Sequence, residues 1–207
     1  MRPRSTLAGR RFADLLLFCV TATEFVLLFI LTPTFTIADW IYVLQHLIVL
    51  GIALTRPAPG MRDYSIPSSI AVSVAYLYPY AQVIWLRWSP GNEASPATGL
   101  ALILLAAGLS LVSLLTMGRL FGVRPALRDL VTRGSYKLVR HPIYLSYVIA
   151  DIGYNLQEWN SVTIALVLLG WASLVYRIKA EERVLSHHSG WQSYAASVRS
   201  RILPGVW

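Results

Sequence analysis

Two stretches of this chain gather residues that could do chemistry. "RGSYKLVRHPIYLSY", residues 133–147, sets Arg133, Lys137, Arg140 and His141 beside Tyr136, Tyr144 and Tyr147, where an apolar run begins at Pro142. Proline suits a first helical position, because the N–H it lacks would be unpaired there anyway. His141 then sits on the N-cap side, and the helix start offers free N–H groups and a positive dipole end to an anion. Further on, "YRIKAEERVL" carries Arg177, Glu181 and Glu182, with Arg177 four residues before Glu181.

Each group has an ordinary reading as well. Basic residues taken singly fit the excess of positive charge on cytoplasmic loops, and the tyrosines fit an interfacial aromatic belt. The glutamates fit a solvated helix end with local ion pairs. The contiguous "RHPIY" goes beyond these readings, because it joins cations, a helix start and a phenol. Cations, tyrosines and two carboxylates together suit a ligand with an anionic part and a cationic or diol part. S-adenosylmethionine is such a ligand: its carboxylate would meet Arg or His, its ribose diol Glu, and its sulfonium the tyrosine faces. Composition does not separate it from a nucleotide, although no P-loop, G-x-G-x-x-G or H-E-x-x-H is present.

The sequence around these residues is strongly apolar. The chain is 56% hydrophobic and 14% charged, with mean hydropathy +0.55, against about 25% charged in soluble domains. That composition predicts an all-α, polytopic membrane bundle. Six apolar runs occupy residues 12–31, 38–55, 66–86, 97–117, 142–158 and 161–178. About 20 residues cross a hydrocarbon core, so the last two are short. Only Trp159 and Asn160 join them, which predicts a helical hairpin.

Charge placement gives an independent check. With the N-terminus cytoplasmic and six crossings, 17 of the 18 basic residues fall inside and Arg87 alone falls outside. Both termini are then cytoplasmic, at the inner membrane. The net charge of +8 is thus largely topological, and nucleic-acid binding is not expected. The first run follows Arg2, Arg4, Arg10 and Arg11 and lacks a small-x-small cleavage site, which predicts a retained span. The single Cys19 excludes an intramolecular disulfide, and no metal site is expected.

The expected organisation is one membrane domain, 1–207, with four N-terminal spans in 1–117 and a cofactor-binding half in 118–207. In the first half Glu24, His46 and Gln82 come to one depth, either as a functional group or as hydrogen-bonding glue between helices, while Asp14 is solvated. At the other end Trp191, Tyr194, Val198 and Ile202 recur at helical spacing and predict a short amphipathic helix.

"GSYKLVRHPIYLSY", then "AEERVL", "WQSY" and "RILPGVW" in that order, resemble the isoprenylcysteine carboxyl methyltransferase and phospholipid methyltransferase group of membrane enzymes, over about residues 100–207. The resemblance implies an S-adenosylmethionine pocket at the cytoplasmic end of the last spans, with S-adenosylhomocysteine as product. It implies that Tyr136, Arg140, His141, Pro142, Tyr144, Glu181 and Glu182 bind the cofactor and that Arg177 and Glu181 serve catalysis. Ser146 stands where a glycine is common and Ser135 where a proline is. A carboxylate acceptor needs no base and would be oriented by Arg177; an amine would need Glu181, Glu182 or a tyrosine as base. The acceptor stays open among prenylated cysteine carboxylates, phosphatidylethanolamine amines, and lipophilic thiols or phenols, as does the oligomeric state. Two rival readings are an NADPH-dependent lipid reductase, against which "EER" and "PGVW" speak, and a lipid-binding protein with Glu24, His46, Gln82 and Asp151 at its midplane.

Overall fold

The computed structural model of the chain describes residues 23, 26, 30, 37–57, 60–205 and 207. Most of the 12–31 run, with Asp14, Cys19 and Glu24, and the N-terminal arginines lie outside the described residues.

Helices dominate: α1 (Ile37–Thr55), α2 (Ile66–Trp88), α3 (Pro96–Met117), α4 (Pro142–Gln157), α5 (Ser161–Leu185) and α6 (Trp191–Ser197). Proline opens α2, α3 and α4 at the first turn, where its missing N–H costs nothing. Among the described residues, three helices are long and apolar enough to cross a membrane: Ile66–Trp88, Pro96–Leu120 and Ser161–Leu185. The protein is an integral membrane protein. A departure from the all-α expectation is a two-stranded antiparallel ribbon, β1 (Met61–Arg62) with β2 (Ala126–Leu127), which ties the α1–α2 loop to the long α3–α4 connection.

The turn between α4 and α5 is built by Asn160. Its side chain accepts from the Val162 and Thr163 N–H groups at 3.0 Å each, and Thr163 Oγ1 accepts from the Asn160 N–H at 2.9 Å. This reciprocal box satisfies donors that a helix start otherwise leaves open. Beyond the turn the backbones of α4 and α5 diverge, and each packs mainly on another helix. Helix α4 lies along α3, where Gly153 meets Gly99 so closely that a Cβ on Gly153 would come 2.8 Å from the Gly99 carbonyl oxygen. Such small-residue contacts are how helices approach in lipid. Helix α5 lies along α2, with Ser173 Oγ donating to the Ala71 carbonyl at 2.7 Å.

Side chains bridge the divergence in three polar rungs. Thr163 Oγ1 and Asn155 Oδ1 are 3.2 Å apart, Trp171 Nε1 donates to Asp151 Oδ2 at 2.8 Å, and the Tyr144 hydroxyl donates to Glu181. Tyr78 of α2 also donates to both Asp151 oxygens at 2.9 Å. Asp151 is therefore a satisfied junction of α2, α4 and α5. Gln82 donates to the Thr163 carbonyl at 3.4 Å, an interhelical contact of the kind expected for glue.

At the end of the bundle away from the Asn160 turn, Ile52, Leu114, Phe121, Ile143, Tyr144, Leu174, Ile178 and Ile202 form the principal core cluster. Helix α6 stops at Ser197, so the apolar spacing continues past the helix: Val198 and Ile202 reach the interior on irregular chain. Trp191, Tyr194 and Val198 are all buried against protein, with Leu130 and Leu185 packed on them.

Candidate active site

Several elements converge at that end. The first turn of α4 supplies His141, which is its N-cap residue, and Tyr144. The far half of α5 supplies Arg177 and Glu181, one turn apart on one face. The 3-10 turn Gly134–Lys137 supplies Tyr136. Its opening Gly134 has φ +59° and lies so near Thr116 that a Cβ would come 2.9 Å from the hydroxyl; glycine answers both demands. Together with residues 120–131 and the start of α6, they line an open cavity.

Tyr144 is the centre of the wall. It is buried, its ring lies 5.1 Å below the Arg177 guanidinium carbon, its hydroxyl donates to Glu181 Oε1, and the His141 ring stacks on it at 5.6 Å. Arg177 is 6% exposed and donates from Nη2 to the Val123 carbonyl at 3.3 Å. A buried cation over an aromatic face keeps its charge largely unhydrated and directed. The Tyr136 hydroxyl is buried, lines the cavity and has no hydrogen-bond partner among the described residues. Burial pushes that phenol up, so it stays a neutral donor. Tyr194 donates to the Tyr136 carbonyl at 2.8 Å and holds the 3-10 turn against α6.

The two adjacent glutamates point apart, as a helix advancing about 100° per residue requires. Glu181 lines the cavity, whereas Glu182 turns to the far side of the RHP segment. There its Oε1 lies 2.9 Å from Arg140 Nη1 and 3.4 Å from His141 Nε2, and its Oε2 accepts from Arg201 Nε at 2.9 Å. Neither Oε1 contact is an aligned hydrogen bond, and the one to Arg140 is an ion pair. Burial lowers the Arg140 pKa while Glu182 opposes the fall.

Of the residues expected from sequence, Tyr136, Arg140, His141, Tyr144, Arg177 and Glu181 line the cavity. Pro142 is fully buried beneath the wall, and Glu182 stands behind it. Ser146 fits its tight position by turning its hydroxyl back to the Ile143 carbonyl at 2.6 Å, and Ser135 lies 3.1 Å from the Ser113 hydroxyl of α3. Sequence reasoning missed Tyr76, Arg124, Arg128 and Asp129. Tyr76 belongs to a tyrosine-rich turn, "YLYPY", inside an apolar run, which was its available signal.

Residues 99–187 match the isoprenylcysteine carboxyl methyltransferase (ICMT) family. Protein-S-isoprenylcysteine O-methyltransferase B of Arabidopsis thaliana is 32% identical over 142 residues, covering 65% of this chain and 72% of that protein. The chain belongs to the isoprenylcysteine carboxyl methyltransferase family. Protein-S-isoprenylcysteine O-methyltransferase A of the same plant is 31% identical over 112 residues, 50% of this chain and 57% of that protein. A probable protein-S-isoprenylcysteine O-methyltransferase of Oryza sativa subsp. indica is 31% identical over 112 residues, 50% of this chain and 59% of that one. The ICMT match takes in the Gly99–Gly153 contact and all of Tyr136, Arg140, His141, Tyr144, Arg177, Glu181 and Glu182, and it ends before α6 and Arg201.

Proposed function

We propose that this ICMT-family methyltransferase moves the methyl group of S-adenosylmethionine onto the carboxylate of a lipophilic acceptor of the isoprenylcysteine type, within the cavity walled by Tyr144. The observation that carries this reading is Tyr144 itself, with Arg177 on its face and Glu181 at its hydroxyl.

The cavity's donor set suits the cofactor. Arg140 offers a positive group, His141 an imidazole, the unpartnered Tyr136 hydroxyl a donor, and Glu181 an acceptor for a diol. When bound, S-adenosylmethionine supplies an electrophilic methyl on a sulfonium. Everything else is work for the chain's own residues. Arg177 orients an acceptor carboxylate, which is already ionised and needs no base. The Tyr144–Glu181 hydrogen bond fixes both groups against rotation, so that two reactants could be held in line. Met117, Phe121, Ile143 and Tyr147 give the cavity an apolar side for the acceptor's tail, and Trp191 and Tyr194 help exclude water. Six crossings with both termini cytoplasmic would let cofactor arrive from the cytosol and lipid from the bilayer.

Purified protein given tritiated S-adenosylmethionine and a farnesylated cysteine should produce a base-labile methyl ester, and Arg177→Met should not. Label appearing only as a base-stable N-methyl group on phosphatidylethanolamine would replace the carboxylate reading with the phospholipid one.

A further inference from the structure

Arg201 lies beyond the family match, yet it is wired into the site. Its Nε donates to Glu182 at 2.9 Å, and its carbonyl accepts from the His141 N–H at 2.8 Å. The neighbouring Ser200 carbonyl accepts from the Arg140 N–H at 3.0 Å, and Arg140 Nη2 donates to the Arg199 carbonyl at 2.9 Å. Residues 199–201 therefore run alongside the RHP segment and hold it by its main chain.

Arg201 is itself fixed. Its N–H and that of Ile202 both donate to the Trp207 carbonyl, at 2.5 and 3.2 Å, and its guanidinium carbon sits 5.0 Å over the Trp207 ring. Ile202, next in the chain, is buried in the principal core.

The need for such a clamp follows from His141, whose ring lies between the glutamates: Nδ1 is 3.6 Å from Glu181 and Nε2 is 3.4 Å from Glu182. Both carboxylates can therefore engage the same imidazole, and only Glu181 lines the cavity. Arg140 gives Glu182 one cation; Arg201 gives it a second, on its other oxygen. Charge-assisted bonds of this kind are short, directional and roughly twice as strong as neutral ones. With both oxygens engaged, Glu182 is held behind the wall.

We propose that Arg201 is a positioning residue that neutralises and retains Glu182, leaving His141 and Glu181 to the ligand. This rests on the reading of the cavity as an S-adenosylmethionine site. It acts through Glu182 and touches no reacting atom.

The test is S-adenosylhomocysteine binding to the full chain in detergent micelles, for wild type, R201K, R201A and R201A/E182Q, each with its melting curve. R201A should bind about tenfold more weakly, a factor within the worth of a charge-assisted bond. R201K, which keeps the cation, should stay within about threefold of wild type, and E182Q should restore most of the R201A loss because no charge remains to be held. KM for S-adenosylmethionine should rise in R201A while kcat at saturation changes little. If R201A does not fold, R201Q takes its place in the same comparison. Binding by R201A equal to wild type overturns the proposal, as does a loss that E182Q leaves uncorrected. Wild type that fails to bind overturns the cofactor reading and this role together; wild type that binds beside an unaffected R201A overturns this role alone.

Discussion

The Tyr144 hydroxyl donates to Glu181 across 37 residues of sequence, and the same ring lies 5.1 Å beneath the Arg177 guanidinium. One phenol thus joins the first turn of α4 to both charged groups that α5 brings to the cavity. Tyr144→Phe keeps the ring and removes the donor. Hydrogen bonds to charged groups are worth about 1.5–3 kcal/mol, so kcat/KM should fall about 10- to 100-fold, with a modest drop in melting temperature from the lost rung. Steady-state kinetics beside a thermal melt read both; unchanged kinetics would remove Tyr144 from the mechanism.

Arg177 poses a harsher test. It is buried, donates to the Val123 carbonyl and sits beside a carboxylate one turn away. Arg177→Met leaves Glu181 without that cation and should abolish measurable methyl transfer. The buried guanidinium also donates to the Val123 carbonyl and lies over the Tyr144 ring, so extraction yield and melting temperature should fall too. Arg177→Lys, which keeps charge but loses the planar fork, should recover fold and only part of the activity.

The α3–α4 contact predicts a different phenotype. A Cβ on Gly153 would meet the Gly99 carbonyl at 2.8 Å and Ile103 Cγ1 at 2.9 Å. Gly153→Val should destabilise by about 1–3 kcal/mol through overpacking. Because α4 also carries His141 and Tyr144, cofactor affinity should drop with it. Gly108→Ala, where a Cβ meets nothing within 4 Å, is the control and should behave as wild type.

Alkaline pH probes the floor of the site. Burial raises the Tyr194 phenol, Arg140 pulls it back and Glu182 raises it again, and the outcome is pushed up to about 12 from an ordinary 10.0. The folded state keeps a proton that the unfolded state surrenders. The stability gained is therefore complete below pH 10 and is lost as pH rises through about 12. Tyr194→Phe should lose about 1 kcal/mol at neutral pH with its bond to the Tyr136 carbonyl. It should also show a shallower decline in melting temperature above pH 10 than wild type. Parallel declines would mean that Tyr194 does not contribute.

Asp151 should matter for the bundle and not for the chemistry. Asp151→Leu strands the Tyr78 hydroxyl and the Trp171 indole N–H, each unsatisfied donor costing about 1–3 kcal/mol. Melting temperature should fall sharply while activity per folded molecule persists. A folded but inactive variant would reopen the reading of Asp151 as a binding group.

Much of this was legible in the residues. Hydropathy and proline placement located α1 to α4 within two residues at most ends, because an apolar run bounded by Pro and Gly leaves little choice in lipid. "RHPIY" and "AEER" announced themselves by putting charge where hydrocarbon was expected. Two things were hidden. Sequence treats Glu181 and Glu182 as a pair, and only helical rotation against a fixed neighbour sends one to the cavity and the other to Arg201. Nor does spacing reveal what an irregular segment touches: Arg124, Arg128, Asp129 and Arg201 act from loops, whose paths depend on main-chain hydrogen bonds that leave no periodic signature.

The three side-chain rungs between α4 and α5 bear on how the protein is made. Asn155, Asp151 and Tyr144 on one helix answer Thr163, Trp171 and Glu181 on the other, and lipid itself offers these groups no partner. Delivered alone, each helix would show lipid a carboxylate or an unpaired donor. With only a three-residue turn between them, the second emerges from synthesis just behind the first, and the rungs can close before either is released. Insertion of the two as a pair would let the rungs set the registry that aims Glu181 at Tyr144.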